Sequence, residues 1–159
     1  MCRAISILKN RLNLELIEEY NLRGRVTRRG QNAEEEIVFD FADRRHEPQL
    51  PAIHDGQLAI YPWGNRGGRT PKLPKTGWCR QESLEAGKWR WLAPEPVVIP
   101  AQFGLEKGIW FSITEGIQGI AVRDPTDHVH VYMLTQPAST YYSNMTKHDR
   151  MPVLVGESI

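Results

Sequence analysis

The sequence predicts an α+β fold, with a curved, partly closed and mainly antiparallel β-sheet and two or three helices. Short apolar segments bounded by turn residues recur along the chain, and such segments are typical of strands. Apolar residues at helical spacing are rarer, and the clearest example lies between Leu14 and Tyr20. The 159 residues suffice for one hydrophobic core, so we expect a single domain over residues 1–159.

The elements follow from these patterns in chain order. Strands are expected at 3–8, 37–41, 57–63, 97–99, 109–113, 119–122, 128–135 and 153–155. Helices are expected at 14–20, capped by Asn10 or Asn13, and at 137–145, whereas 82–91 suits either a helix or an extended segment. Polar residues, glycines and prolines predict loops at 25–33, 44–51 and 64–74.

Charge and apolar content exclude few functions. The net charge is +1, so no overall basic field indicates a nucleic-acid partner. Basic residues are clustered, however, from Arg23 to Arg29 and from Arg66 to Lys75. Such a stripe can contact phosphates, and the alternative is a pair of solvated loops, which we favour for the first cluster.

Features of cellular location are also visible in the sequence. No apolar run approaches the roughly 20 residues of a membrane-spanning helix, and no signal peptide is visible. Cys2 and Cys79 are expected to be reduced rather than joined in a disulfide. We therefore expect a cytoplasmic protein without a membrane partner.

Two segments, one at each end of the chain, carry candidate chemistry. His148 and Arg150 lie two residues apart, and so on one face if the segment is extended. The imidazole can exchange a proton at neutral pH, and the guanidinium can hold an anion. At the other end, removal of Met1 would leave Cys2 with an α-amine and a thiol on adjacent carbons. That pair can trap an aldehyde as a Schiff base and then close a thiazolidine ring.

The combination of these two ends resembles the SOS-response-associated peptidase (SRAP) family. Members of that family link covalently to abasic sites in single-stranded DNA. Further segments follow the order of the family's motifs: Tyr61-Pro62-Trp63-Gly64, Arg80-Gln81-Glu82, Val97-Val98-Ile99-Pro100-Ala101 with Glu106, Leu134-Thr135 with Pro137-Ala138, and His148-Asp149-Arg150-Met151-Pro152. The similarity is weak from Arg3 to Gln49, which is typical of a short, divergent, phage-related member.

The resemblance implies a DNA-repair factor that binds single-stranded DNA containing abasic sites, in the cytoplasm at the nucleoid. Cys2 would capture the aldehyde, with self-cleavage of any residues that precede it. Glu106 would move protons at the sugar and the amine, and His148 would shuttle a proton to solvent. The family implies neither a cofactor nor a metal ion.

The resemblance also implies a DNA-binding set. Arg80 and Arg150 would hold the phosphates that flank the lesion, because an Arg fork presents several donors to phosphate oxygens. Trp78 stands where the family usually has Asn, and we expect it to stack on an unpaired base, as Trp63 could at the mouth of its loop.

Other departures from the family pattern leave two alternatives open. The chain begins Met1-Cys2-Arg3-Ala4 instead of Met-Cys-Gly-Arg, and Lys107 follows Glu106 where the family has Trp. The first alternative is a catalytically impaired single-stranded DNA-binding module of the same fold. The second is a cupin-like metal enzyme that uses His128 and His130, with His54 or Cys79, although no Cys-x-x-Cys or His-Glu-x-x-His pattern supports it.

Overall fold

The structure, a computed structural model, describes residues 1–156. The strands are β1 (Ala4–Leu8), β2 (Val26–Thr27), β3 (Glu36–Asp40), β4 (Gln49–His54), β5 (Gln57–Pro62), β6 (Trp78–Arg80), β7 (Glu95–Ile99), β8 (Phe103–Glu106), β9 (Ile109–Ser112), β10 (Ile117–Arg123), β11 (Val129–Pro137) and β12 (Arg150–Pro152). The α-helices are α1 (Leu14–Glu19), α2 (Gln81–Glu85) and α3 (Thr140–Thr146). Short 3-10 helices lie at Lys9–Arg11, Leu22–Arg25, Arg66–Gly68 and Arg90–Leu92. None of the helices in residues 1–156 is long and apolar enough to cross a bilayer.

The strands and the three α-helices confirm the predicted α+β class. The strands form two sheets, however, where a single sheet was expected. The first sheet has the order β2-β3-β1-β8-β9, and all of its neighbours are antiparallel. The second has the order β12-β11-β10-β7-β4-β5, and β6 joins it as a parallel partner of β11. Within residues 1–156 neither sheet closes on itself, so both are open sheets, which is consistent with a curved arrangement.

One apolar core contains residues from both sheets. Ile5 and Phe39 of the first sheet share it with Ile99 and Val131 of the second, and all four are fully buried. Because alternate residues of a strand face opposite sides, Tyr132 of β11 points away from Val131 into a second, smaller cluster. Strand β11 is therefore buried on both faces and forms the centre of the domain.

The first predicted helix is confirmed, with one of its two candidate caps. Helix α1 begins at Leu14, and the Asn13 side chain accepts a hydrogen bond from the Leu16 amide at 2.8 Å. This is the N-cap geometry that satisfies an otherwise unpaired amide of the first turn.

Four strands, β2, β4, β6 and β8, were not predicted. Strand β2 lies in the predicted loop 25–33. Strand β4 contains Pro51 and lies partly in the predicted loop 44–51. The proline is tolerated because β4 pairs with β7 only at Ile53 and Val98, so most of that edge carries no ladder hydrogen bonds to lose. The strand predicted at 153–155 lies instead at Arg150–Pro152, and only an isolated bridge between Ile117 and Leu154 continues it.

Candidate functional site

The α-amine of the first residue lies in a pocket between a carboxylate and an imidazole. The nitrogen of Met1 donates to Oε1 of Glu106 at 2.9 Å and lies 2.8 Å from Nε2 of His148. Nε2 of His148 is also 3.6 Å from Glu106 Oε1. The Glu106 side chain is only 4% exposed, and its Oε2 has no hydrogen-bond partner within residues 1–156. Two groups able to exchange protons thus contact one nucleophilic nitrogen.

A tight turn places Glu106 at this pocket. Glu106 is the last residue of β8, and Lys107 and Gly108 both have positive φ, at 46° and 80°. Two consecutive residues of positive φ are typical of the two-residue turn that best matches the twist of a hairpin. The hairpin of β8 and β9 is therefore short, and Glu106 sits at its end beside the chain terminus.

A second turn brings His148 to the same place. Lys147 caps the C-terminal end of α3 with φ 59°, a left-handed conformation that reverses the chain. The Lys107 ammonium donates to the Lys147 carbonyl at 2.8 Å, so it joins the two turns. The Arg150 amide donates to Nδ1 of His148 at 3.0 Å and holds the ring beside the amine, whose nitrogen lies 2.8 Å from Nε2 and 3.1 Å from Nδ1.

The thiol of Cys2 lies in the core rather than in this pocket. Cys2 is fully buried, and its Sγ donates to the Ala4 carbonyl at 3.2 Å. Burial raises the pKa of the thiol to about 12, so it is protonated at neutral pH. Gly104 provides the space, since a Cβ at that position would lie 3.0 Å from Sγ. With Met1 in place, the amine and the thiol therefore face different surroundings.

The two tryptophans of the predicted DNA-binding set make structural contacts within the protein. Trp63 is 1% exposed, and its Nε1 donates to the Gly77 carbonyl at 2.9 Å. The expectation that Trp63 could stack on a base is therefore wrong, because its ring is part of the core. Trp78 is half-buried against Phe41, and its Nε1 donates to the Cys2 carbonyl at 3.0 Å. The Trp78 ring thus anchors the N-terminal segment.

The two arginines of that set differ in their surroundings. The Arg150 guanidinium donates to both carboxylate oxygens of Glu82, at 2.7 and 3.0 Å, and to the Thr135 hydroxyl at 3.0 Å. Its side chain is 10% exposed, so the free fork expected for a phosphate is occupied by the protein itself. Arg80 is exposed at the end of β6. His148 and Arg150, expected to share a face, contact different partners because the chain bends at Asp149 between them.

The pair formed by Glu82 and Arg150 predicts a pH-dependent stability. Hydrogen bonding by Arg150 lowers the pKa of Glu82 from 4.5 to about 2. This contribution is fully present above pH 4.5 and is lost as the pH falls towards 2, because the unfolded chain takes up the proton first. In urea unfolding over that range, Glu82→Gln should lose less stability than the unaltered chain. Glu85→Gln, an exposed change on the same helix, should keep the full pH slope. Equal slopes for Glu82→Gln and the unaltered chain would contradict the pairing.

The histidines of the metal alternative lie apart from the amine pocket and have other partners. His128 is exposed and contacts the Thr126 hydroxyl at 2.6 Å. His130 is buried between the Gly64 carbonyl at 2.8 Å and Asp124 at 3.1 Å. Within residues 1–156, neither histidine belongs to the group of side chains whose ligand atoms are close enough to hold a metal ion. The structure therefore does not bring the predicted metal ligands together.

Comparisons with known proteins show that other proteins share this fold, but they do not indicate a function. A crystal structure of a protein from Bacteroides thetaiotaomicron has a TM-score of 0.60 at 15% identity, over 98% of this chain and 78% of that one. One from Bordetella bronchiseptica has a TM-score of 0.56 at 18% identity, over 96% and 83% of the two chains. Both were structural-genomics targets, and both show the fold alone. No family model and no curated protein matches the chain.

Sequence reasoning missed the residues that assemble the pocket. Lys107 and Lys147 look like solvated charges in the sequence, yet their left-handed backbones bring Glu106 and His148 together. The dipeptide Lys107-Gly108 between apolar residues was a usable signal, because a residue followed by Gly is typical of a two-residue hairpin turn. The sequence offered no comparable sign of the role of Trp78.

Proposed function

We propose that this protein captures the aldehyde of an abasic site in single-stranded DNA through its N-terminal amine. One observation carries the proposal: the α-amine lies within 2.9 Å of Glu106 Oε1 and 2.8 Å of His148 Nε2. An amine becomes nucleophilic only after it loses a proton, and a carbinolamine loses water only after its hydroxyl gains one. The pocket supplies a group for each transfer.

The reaction can be written with these residues. Glu106 accepts a proton from the ammonium, and the free amine attacks the carbonyl carbon. The carbinolamine that forms receives a proton at its hydroxyl from Glu106 or His148, and water leaves to give the Schiff base. Glu106 suits both steps because it is buried, so its proton is exchanged with the substrate rather than with bulk water.

Removal of Met1 would make the capture durable. The new amine would belong to Cys2, whose Cα is about 3.8 Å from that of Met1. Its thiol would add across the carbon–nitrogen double bond, so that sulfur bonds to carbon and the thiol proton passes to nitrogen. The thiol must first leave its buried position against the Ala4 carbonyl. Self-cleavage before Cys2 would provide the required terminus within the same molecule.

Exposed cations near the pocket favour a polyanionic carrier of the aldehyde. Lys107 and Lys147 are exposed on the two turns that frame the pocket. Arg80 lies two residues from Trp78, and so on the same face of β6 as the ring that holds Cys2. We assign these three side chains to the phosphates that flank the lesion.

A denaturing gel tests the proposal. The chain beginning at Cys2, verified by intact mass, is mixed with a single-stranded oligonucleotide that contains one abasic site. We expect a protein–DNA band that survives heating, and no such band with an undamaged oligonucleotide of the same sequence. Failure to form any covalent band, with or without borohydride reduction, would exclude aldehyde capture.

A second candidate function keeps DNA binding without the durable crosslink. The burial of the Cys2 thiol and its raised pKa favour this alternative, since a protonated and enclosed thiol closes the ring slowly. It predicts salt-sensitive binding to single strands in a native gel and no heat-stable band in the denaturing gel.

A further inference from the structure

A second cluster of ionisable side chains lies away from the amine pocket, at the hairpin of β4 and β5. His54 ends β4, and Asp55 and Gly56 form the turn, both with positive φ, at 52° and 76°. Glu95 begins β7, the strand that pairs with β4. Nε2 of His54 lies 3.8 Å from Asp55 Oδ2 and 3.7 Å from Glu95 Oε2. One imidazole and two carboxylates thus lie close together at this end of the sheet.

The imidazole of His54 is the distinctive member of this cluster. Its side chain is 8% exposed, and Nε2 has no hydrogen-bond partner within residues 1–156. The separations from both carboxylates exceed the roughly 3.2 Å limit of a good nitrogen–oxygen hydrogen bond. A buried polar atom without a partner is destabilising, so it points to a ligand that is not part of the chain.

The spacing suits a cation between the three side chains. A tetrahedral Zn²⁺ ion bonds nitrogen and oxygen at about 2.0–2.2 Å, which separates its ligand atoms by roughly 3.4 Å. The ligand atoms of His54, Asp55 and Glu95 all lie within 4.8 Å of one another, so small rotations of exposed carboxylates would close the site. A neutral imidazole and two carboxylates would balance the charge of a divalent ion.

Solvent can reach the remaining coordination positions. The Asp55 and Glu95 side chains are 83% and 52% exposed. Asp55 and Pro96 also line a cavity of about 730 Å³. Three protein ligands with an open position are typical of zinc sites that keep a water molecule, whereas structural sites usually have four protein ligands.

We propose that His54, Asp55 and Glu95 bind a divalent transition-metal cation of the Zn²⁺ class, with water as the remaining ligand. The site does not depend on the amine pocket or on DNA binding. This site was not predicted, because the predicted metal candidates were His128 and His130, with His54 only as an accessory. The three ligands become neighbours through the pairing of β4 with β7, which sequence spacing does not reveal.

Calorimetry with ZnCl₂ on the metal-free chain tests the site. Asp55→Asn and Glu95→Gln remove one ligand charge each with little change in size. Each should weaken the binding of Zn²⁺ about tenfold or more, because even loss of an outer-shell partner typically costs roughly 10–100-fold. Titration with Co²⁺ should give visible absorption bands in the unaltered chain and weaker bands in both variants.

A matched control is available at the turn between β10 and β11. Asp127, like Asp55, has positive φ and a side chain that is 83% exposed. Asp127→Asn should bind Zn²⁺ as the unaltered chain does. The proposal fails if the unaltered chain binds neither ion, or if Asp55→Asn and Glu95→Gln bind normally. It also fails if Glu106→Gln, and not Glu95→Gln, loses the ion, since that result assigns the cation to the amine pocket.

Discussion

Replacing Cys2 by alanine is expected to abolish the heat-stable adduct with an abasic oligonucleotide while leaving an adduct that borohydride can trap. Alanine keeps the α-amine after Met1 is removed, so the Schiff base still forms. It lacks the sulfur that closes the five-membered ring. Intramolecular closure has an effective molarity of about 10⁵ M or more, so we expect the adduct that survives heating to fall at least about a hundredfold.

Three companion samples make this result specific. Cys2→Ser should give an adduct that heat reverses, since oxygen closes the ring less stably than sulfur. Cys79→Ala changes the other buried thiol and should leave the adduct intact. The chain that retains Met1 should form only the reducible adduct, because its amine and its thiol belong to different residues. Heat-stable adduct from Cys2→Ala at the level of the unaltered chain would exclude the thiazolidine.

The second large effect is expected at Glu106. The glutamine variant keeps the shape of the side chain and an acceptor oxygen in place of Oε1, which lies 2.9 Å from the Met1 amine. It cannot take up the proton. General acid–base catalysis contributes about 10²–10⁴-fold, so the rate of Schiff-base formation should fall by roughly that factor. Quenching the reaction with borohydride at intervals, under single-turnover conditions, measures this rate.

Two controls distinguish the loss of a proton acceptor from misfolding or weaker DNA binding. Glu115→Gln, an exposed change outside the pocket, should react at the normal rate. Circular dichroism should show that Glu106→Gln remains folded, and its affinity for an undamaged single strand should be unchanged, because Glu106 is buried. A normal capture rate in Glu106→Gln would remove the carboxylate from the mechanism.

The α+β class and the elements with clear periodicity could be predicted from the sequence. Ile37 and Phe39 alternate in β3, and Asn13 precedes the helical spacing of α1, because those signals are local. Strands β2, β4 and β8 were missed although each pairs with the next strand in sequence, and β4 and β8 lead into the two-residue turns Asp55-Gly56 and Lys107-Gly108. Strand β6 could not be predicted, since its residues are stabilised by pairing with a distant segment. Parallel pairing of β6 with β11 is an example, because its register joins Cys79 to Leu134.

Two residues of the candidate site could be predicted from the sequence, but their arrangement in space could not. The motifs indicated Glu106 and His148, and the structure brings both to the N-terminal amine. The environment of Arg150 depends on Glu82, which lies 68 residues away in the chain, so the sequence could not show that its guanidinium is occupied. Burial of Trp63 and of the Cys2 thiol likewise depends on how the two sheets pack, which is a property of the whole fold.

The most direct test of the amine as nucleophile is to identify the residue that carries the sugar. The chain is incubated with the abasic oligonucleotide, reduced with borohydride, digested with a protease and a nuclease, and analysed by tandem mass spectrometry. We predict that the added mass lies on the α-nitrogen of the first residue, which is Cys2 once Met1 is removed. An added mass on a lysine side chain, such as Lys107 or Lys147, with an unmodified N-terminal peptide, would contradict the account.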